Sequence, residues 1–274
     1  MGHAVLPVNR CDLPPWMIAS PHFNRNPRPI EIQGVRRAHR SLFARLDRLS
    51  SPTARERCLR DYIDVVFQAR KWRNETSPPG RRSLRNGYLR FLRGWMVDAS
   101  SAEGAVLKGW VESRFGIPPV FHAGMIEGVD SAGYMLYLAE RMRESGRTNA
   151  VESQFDLLYE FVQYELSRRH PGVRSFILFR GVRNLADYRF VEAPVGNRAV
   201  LRLNNLNSFQ EGSERKTWFF PRTNAVCGML VSSPTCFPAF SCRTTPTNDF
   251  SPIPYKSRSA WLSIRTLDLS WSDQ

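Results

Sequence analysis

An arginine followed by a glycine comes at the end of an apolar run in the stretch RSFILFRGVRN. The run of aromatic and branched side chains before Arg180 predicts a buried strand over residues 175–180. An arginine at a strand end presents a planar fork of donors that can grip a phosphate or a carboxylate in a bidentate manner. Gly181 leaves the adjacent backbone bare, so that a ligand can approach closely.

A second polar cluster ends the next predicted strand, which the stretch AVLRLNNLNSF indicates. Asn205 and Ser208 offer amide and hydroxyl groups that suit a ribose or a carboxamide, and Phe209 adds an aromatic ring. Taken alone, Arg180 is more often a surface ion-pair partner, and an asparagine cluster is more often a turn. The two stretches together are more specific, and they predict a ligand site between two strand ends.

Helices should precede these strands and position them. Residues 36–166 carry apolar stripes at helical spacing, with helix starts indicated at Ser51 and Ser101 and a helix stop at Gly116. Residues 172–209 are β-rich, which predicts an α+β fold. The Pro-rich residues 7–35 should form an extended arm packed on the domain, with anchors at Trp16, Ile18, Phe23 and Ile30.

The composition narrows the class of protein. The formal net charge of +14 indicates either a GC-rich genome or an acidic partner. No helix-turn-helix, zinc-finger or RRM signature is present, which argues against a basic nucleic-acid-binding protein, although that alternative stays open. We expect no signal peptide, no membrane span and no metal site, and the five irregularly spaced cysteines favour a reduced, cytoplasmic protein.

Four stretches resemble the dinitrogenase reductase ADP-ribosyltransferases: FRGV at 179–182, NNLNSF at 204–209, CDLPPWMIAS at 11–20 and IEIQGVR at 30–36. The similarity covers roughly residues 10–209. It implies an enzyme that moves ADP-ribose from NAD, as co-substrate, to an arginine of dinitrogenase reductase, the nitrogenase iron protein, and so switches off nitrogen fixation. It also implies a PII-type nitrogen-signalling protein as regulator.

The resemblance assigns roles to particular residues. Arg180, with Gly181 beside it, would bind NAD near its phosphates or ribose, and Ser208 would support the nicotinamide ribose pocket. Asn205 is a further candidate for binding NAD. Phe209 would face the nicotinamide ring. The implied fold is a helical N-terminal region packed on a small mixed β-sheet of ADP-ribosyltransferase type, with residues 1–209 as a single domain.

The C-terminal residues 210–274 depart from the family's pattern. The family places a catalytic Glu on a later strand, but Glu211 and Glu214 are the last glutamates of the chain, and neither lies in a strand pattern. The catalytic residue is therefore not assigned. Prolines interrupt every apolar run of this tail, so we expect it to add no regular strand and the C-terminal part of the sheet to be missing.

A shifted reading frame would explain this tail. Residues 231–247 can be back-translated with a set of GC-rich codons that, read from the third base, encodes a Leu-rich and then acidic segment like the family's C-terminal region. This choice of codons is one of many, so it shows that a shifted frame is compatible with the tail. A natural, divergent tail is the alternative. With its present tail the chain would transfer ADP-ribose poorly, or it would be a catalytically dead regulator that docks on the iron protein.

Overall fold

The computed structural model describes residues 11–67, 87–146, 148, 150–182, 188–195, 198–210, 225–232, 236–239, 260–263 and 267–271. No helix among these residues is long and apolar enough to cross a lipid bilayer. The helices are α1 (Pro15–Ile18), α2 (Pro21–Arg25), α3 (Val35–Ala38), α4 (Arg40–Asp47), α5 (Pro52–Val66), α6 (Tyr88–Val97), α7 (Ala102–Phe115), α8 (Ala132–Ser145) and α9 (Val151–Arg169).

Local sequence signals set the bounds of two long helices. Ser51 Oγ accepts a hydrogen bond from Ala54 N at the start of α5, and Ser101 Oγ accepts one from Gly104 N at 3.1 Å at the start of α7. Helix α7 stops at Gly116, whose φ of 67° is left-handed. These predicted starts and the predicted stop are confirmed.

Helix α9 lies at the centre of the helical part. Its apolar residues join a core cluster that extends from Cys11 to Phe209. Three of its carboxylates are buried, and each pairs with an arginine from a different helix, so the ion pairs orient the helices around α9. The pairs are Arg36–Glu160, Arg55–Glu165 and Arg114–Asp156.

The N-terminal arm packs on this core, but it is not extended as we expected, because α1 and α2 form within it. Ile18, Phe23 and Ile30 are buried anchors, as predicted. Trp16 is 72% exposed, so its assignment as an anchor was wrong. Its neighbour Pro15 packs closely against Gly116 instead. The approach is so close that a Cβ atom at position 116 would lie only 2.4 Å from Pro15 Cγ.

A sheet of eight strands follows the helices within the described part of the chain. The strands are β1 (Ser175–Val182), β2 (Arg189–Val195), β3 (Arg198–Arg202), β4 (Asn207–Gln210), β5 (Ala225–Ser232), β6 (Cys236–Ala239), β7 (Ala260–Ser263) and β8 (Leu267–Trp271). Their spatial order is β2-β3-β8-β5-β1-β4-β7-β6. The described pairs are all antiparallel, so the fold is α+β as predicted, but the sheet is not mixed.

Four of these strands come from the tail. Strand β5 pairs with β1 along its whole length, from Ser175 opposite Ser232 to Val182 opposite Ala225. This pairing corrects our expectation that residues 210–274 add no regular strand. Prolines interrupt the apolar runs of the tail but leave segments of four to eight residues, which are long enough for strands.

Candidate active site

The structure brings Arg180 and Ser208 together. Strands β1 and β4 are antiparallel neighbours, with Phe179 opposite Gln210. Arg180 Nη1 donates to the carbonyl oxygen of Ser208 at 2.9 Å and lies 3.1 Å from its hydroxyl oxygen. The two polar stretches that the sequence singled out therefore meet at one place on the sheet.

One N–H group of the Arg180 guanidinium is unpaired among the described residues. Its Nε is buried and has no hydrogen-bond partner among the described residues. A buried donor without an acceptor costs ~1–3 kcal/mol, which an incoming anionic or carbonyl ligand could recover. Ser208 is exposed beside it, so the pair can be reached from solvent.

Gly181 lies next to Arg180 on β1, opposite Val226 of β5. This position agrees with the predicted strand, which continues two residues further than we expected. The role that we gave to Gly181, a bare backbone for a ligand to approach, stays a prediction.

Asn205 is placed differently from our expectation of an open amide donor. It is completely buried, and its Nδ2 donates to the carbonyl oxygens of Lys108 and Ile117, both at 3.0 Å. Asn204 accepts from Val120 N through its Oδ1 and donates to Phe121 O at 2.9 Å. The asparagines therefore tie the start of β4 to the helical part, and the geometry gives Asn205 a positioning role. Its contact with NAD stays a prediction.

Phe209 points away from the exposed side of β4. Successive side chains of a strand alternate between the two faces, so an exposed Ser208 places Phe209 inward. Phe209 is only 3% exposed and belongs to the core cluster. Its ring offers no open face to a nicotinamide in this structure, and its assigned role stays a prediction.

Sequence reasoning missed a buried polar cluster beside the asparagines. Lys108 Nζ donates to Phe121 O at 2.9 Å and lies 3.2 Å from His122 Nδ1, and His122 Nε2 lies 2.8 Å from Glu140 Oε2. Burial lowers the pKa of Lys108 to about 8, and burial also lowers the pKa of His122. A lysine inside the apolar stretch AVLKGWV was the one signal that could have pointed to this cluster.

The family's catalytic glutamate is not placed. Glu211 and Glu214, the candidates in the sequence, lie outside the described residues. Within the described ranges, no group of three or more His, Cys, Asp or Glu residues could hold a metal ion.

Comparison with known proteins defines the class. The family model described as dinitrogenase reductase ADP-ribosyltransferase matches residues 8–226. The chain therefore belongs to the dinitrogenase reductase ADP-ribosyltransferase family.

A curated relative gives the same result. The chain is 36% identical over 213 residues to a protein of Rhodospirillum rubrum named NAD(+)--dinitrogen-reductase ADP-D-ribosyltransferase, and the match covers 76% of each chain. No solved structure matches the chain.

Proposed function

We propose that this protein is a mono-ADP-ribosyltransferase that moves ADP-ribose from NAD to an arginine of dinitrogenase reductase. Family membership supports the reaction class, and the name of the Rhodospirillum rubrum relative supports the donor and the target protein. The observation that carries the proposal for the site is the contact of Arg180 with Ser208, which joins the two motifs on neighbouring inner strands, with Ser208 exposed to solvent.

In the proposed reaction the bond between ribose C1′ and the nicotinamide nitrogen breaks, and nicotinamide leaves with the electron pair. A guanidinium nitrogen of the target then bonds to C1′ and gives up a proton. Arg180 would hold the phosphates or the ribose of NAD, and its buried Nε would gain an acceptor. Ser208 would keep the fork of Arg180 in place.

A carboxylate has two tasks in such a reaction. It would stabilise the positive charge that develops on the ribose as nicotinamide leaves, and it would help to deprotonate the acceptor guanidinium. The chain has no glutamate after Glu214. We therefore infer that the chain in its present form transfers ADP-ribose poorly. From the family match we also infer that the helical part and the residues up to 209 form an ADP-ribosyltransferase-type domain.

The poor transfer of ADP-ribose would then be caused by the tail, residues 210–274. The family match ends at residue 226, and residues 227–274 lie beyond it. We attribute the departure of residues 210–274 from the family's pattern to a shifted reading frame, which would replace the family's glutamate-bearing segment. Strands β5 to β8 of this tail contain no glutamate, so their pairing does not supply the missing residue. Sequencing the 3′ end of the gene tests this directly, because an uninterrupted and reproducible reading frame would mean that the tail is natural.

The partners follow from the same proposal. The target would be an arginine of dinitrogenase reductase, modification would switch nitrogen fixation off, and a PII-type protein would regulate the enzyme. The odd number of cysteines favours the cytoplasm as the compartment.

The test is to incubate a frame-restored chain with labelled NAD and dinitrogenase reductase, and to locate the label by mass spectrometry. We expect one ADP-ribose on one arginine of the target. A frame-restored chain that binds NAD and leaves the target unlabelled would support the second candidate function, a regulator that docks without transfer. A label on another residue type would refute arginine specificity.

A further inference from the structure

Lys108 lies where a lysine is costly. It is completely buried in α7, among neighbours of which most are apolar. Removing an ammonium group from water disfavours its charged form, and methionine would fill the same volume without that penalty. The contacts of Lys108 with the candidate active site suggest what offsets the cost.

Two routes connect Lys108 with the asparagines before β4. Its backbone carbonyl oxygen accepts from Asn205 Nδ2 at 3.0 Å. Its side-chain Nζ donates to Phe121 O at 2.9 Å, and Asn204 Nδ2 donates to the same oxygen at 2.9 Å. One carbonyl group of the loop 118–126 is therefore held between Lys108 and Asn204.

Hydrogen bonds of the asparagines link this loop to β4. Asn207, the first residue of β4, donates through Nδ2 to the carbonyl oxygen of Asn204 at 2.6 Å. Ser208, the acceptor for Arg180, is the next residue. A shift of the loop would thus move the backbone that presents Ser208 to Arg180.

His122 and Glu140 hold the amine of Lys108 in this position. His122 Nδ1 lies 3.2 Å from Nζ, and the other ring nitrogen lies 2.8 Å from a Glu140 oxygen, so the carboxylate of α8 orients the imidazole. Asp98, at the end of α6, is the other carboxylate that acts electrostatically on both Lys108 and His122.

We propose that Lys108, His122 and Glu140 form a positioning network for the candidate active site, in which Lys108 fixes the loop 118–126 and the residues 204–208 behind it. The positioning itself is independent of the ligand. Its effect on NAD binding rests on the proposed function.

The test compares Lys108→Met with Arg143→Gln. Methionine keeps an unbranched side chain of similar volume, which ends one atom earlier, and removes the amine. Arg143 lies on α8 with its side chain 60% exposed and serves as the control. We expect faster amide hydrogen exchange in residues 118–126 and 203–208 of the Lys108 variant and no change in α9. NAD binding should be roughly tenfold weaker, because only part of the free energy of the lost charge-assisted hydrogen bond to Phe121 O would reach the site. The Arg143 variant should match the wild type.

A pH series separates positioning from a packing effect. Burial lowers the pKa of His122 and so favours its neutral form, and burial lowers the pKa of Lys108 to about 8. As the pH rises through about 8, Lys108 loses the charge that strengthens its bond to Phe121 O. NAD binding by the wild type should weaken over this range, and the weaker binding by Lys108→Met should stay flat.

Two results would overturn the network. One is unchanged exchange in residues 118–126 and 203–208 in Lys108→Met, and the other is the same pH dependence in wild type and variant. If Lys108→Met does not fold, Glu140→Gln gives the same exchange test with a smaller change of charge, and unchanged exchange there would count equally against the proposal. If neither the wild type nor the variants bind NAD, that result counts against the proposed function. The hydrogen-exchange result still tests whether Lys108 positions the loop.

Discussion

At the scale of single residues, Arg180 is held by Ser208 through one terminal nitrogen, while its buried Nε has no partner among the residues described. The fork is thus oriented before any ligand arrives. Such preorganisation lowers the entropy lost when an anion binds. Lysine has no fork and cannot make this arrangement, although it keeps the charge.

We therefore predict that Arg180→Lys weakens NAD binding by about 1.5–3 kcal/mol, the usual value of a hydrogen bond to a charged group. The measurement is calorimetric titration with NAD. The matched control is Arg143→Lys, whose side chain is 60% exposed. Equal affinities for the two variants would remove Arg180 from the binding site.

Residue-level reasoning from sequence predicted that Arg180 and Ser208 belong to one site, and the structure places them in contact, but it did not predict the cluster around Lys108. Arg180 follows an apolar run, and Ser208 follows an asparagine-rich turn. Both patterns are visible in the residues next to them in the sequence. The contact of Lys108 with His122 depends on how α7 faces the loop 118–126. The inward turn of Asn205 depends on carbonyl groups about ninety residues away, so no local pattern reports it.

At the scale of elements, the helix ends could be predicted because caps are local. Ser51, Ser101 and Gly116 each satisfy backbone groups within four residues. The antiparallel sheet and the four strands of the tail could not be predicted in this way, because strand pairing depends on partners far along the chain. The pairing of β1 with β5 joins residues some fifty positions apart.

The arginine pairs of α9 should contribute unequally to stability. Arg114 forms a bidentate pair with Asp156, with Nε–Oδ1 at 2.6 Å and Nη2–Oδ2 at 3.0 Å, and both side chains are buried. Arg114→Met leaves a buried carboxylate without its cation, which we expect to lower the free energy of unfolding by about 3–5 kcal/mol.

The control for this prediction is Arg168→Met, because Arg168 pairs with Asp47 at 3.5 Å at the surface. That change should cost ~1 kcal/mol or less. Urea unfolding of both variants gives the comparison. If the two variants unfold at the same urea concentration, the buried pairs do not hold the helices around α9.

At the scale of the whole molecule, part of the arginine excess has a structural use. Arg55 and Arg114 neutralise buried carboxylates, and Arg36 neutralises a third from a half-exposed position. The net charge of +14 nevertheless remains after all such pairs are counted, since each pair contributes nothing to it. The molecule therefore carries a positive field that favours an acidic partner.

The association of the chain with dinitrogenase reductase should weaken with salt. Between about 0.05 M and 0.3 M salt the Debye length falls to about 40% of its first value, so the association rate constant should fall while the dissociation rate constant changes little. Surface-based kinetic binding measurements give both constants. An association rate constant that is independent of salt would mean that the positive charge does not guide this encounter.

The central claim is that the Arg180–Ser208 site serves an ADP-ribosyltransferase whose glutamate is missing from the present tail. The most direct measurement is the rate of incorporation of labelled NAD into dinitrogenase reductase by the chain as it stands and by a frame-restored chain. Loss of a preorganised electrostatic group costs ~10²–10³ in rate. The frame-restored chain should therefore label the target at least ~10²-fold faster. Equal and rapid labelling by both chains would contradict the claim, because the essential carboxylate would then lie within these 274 residues.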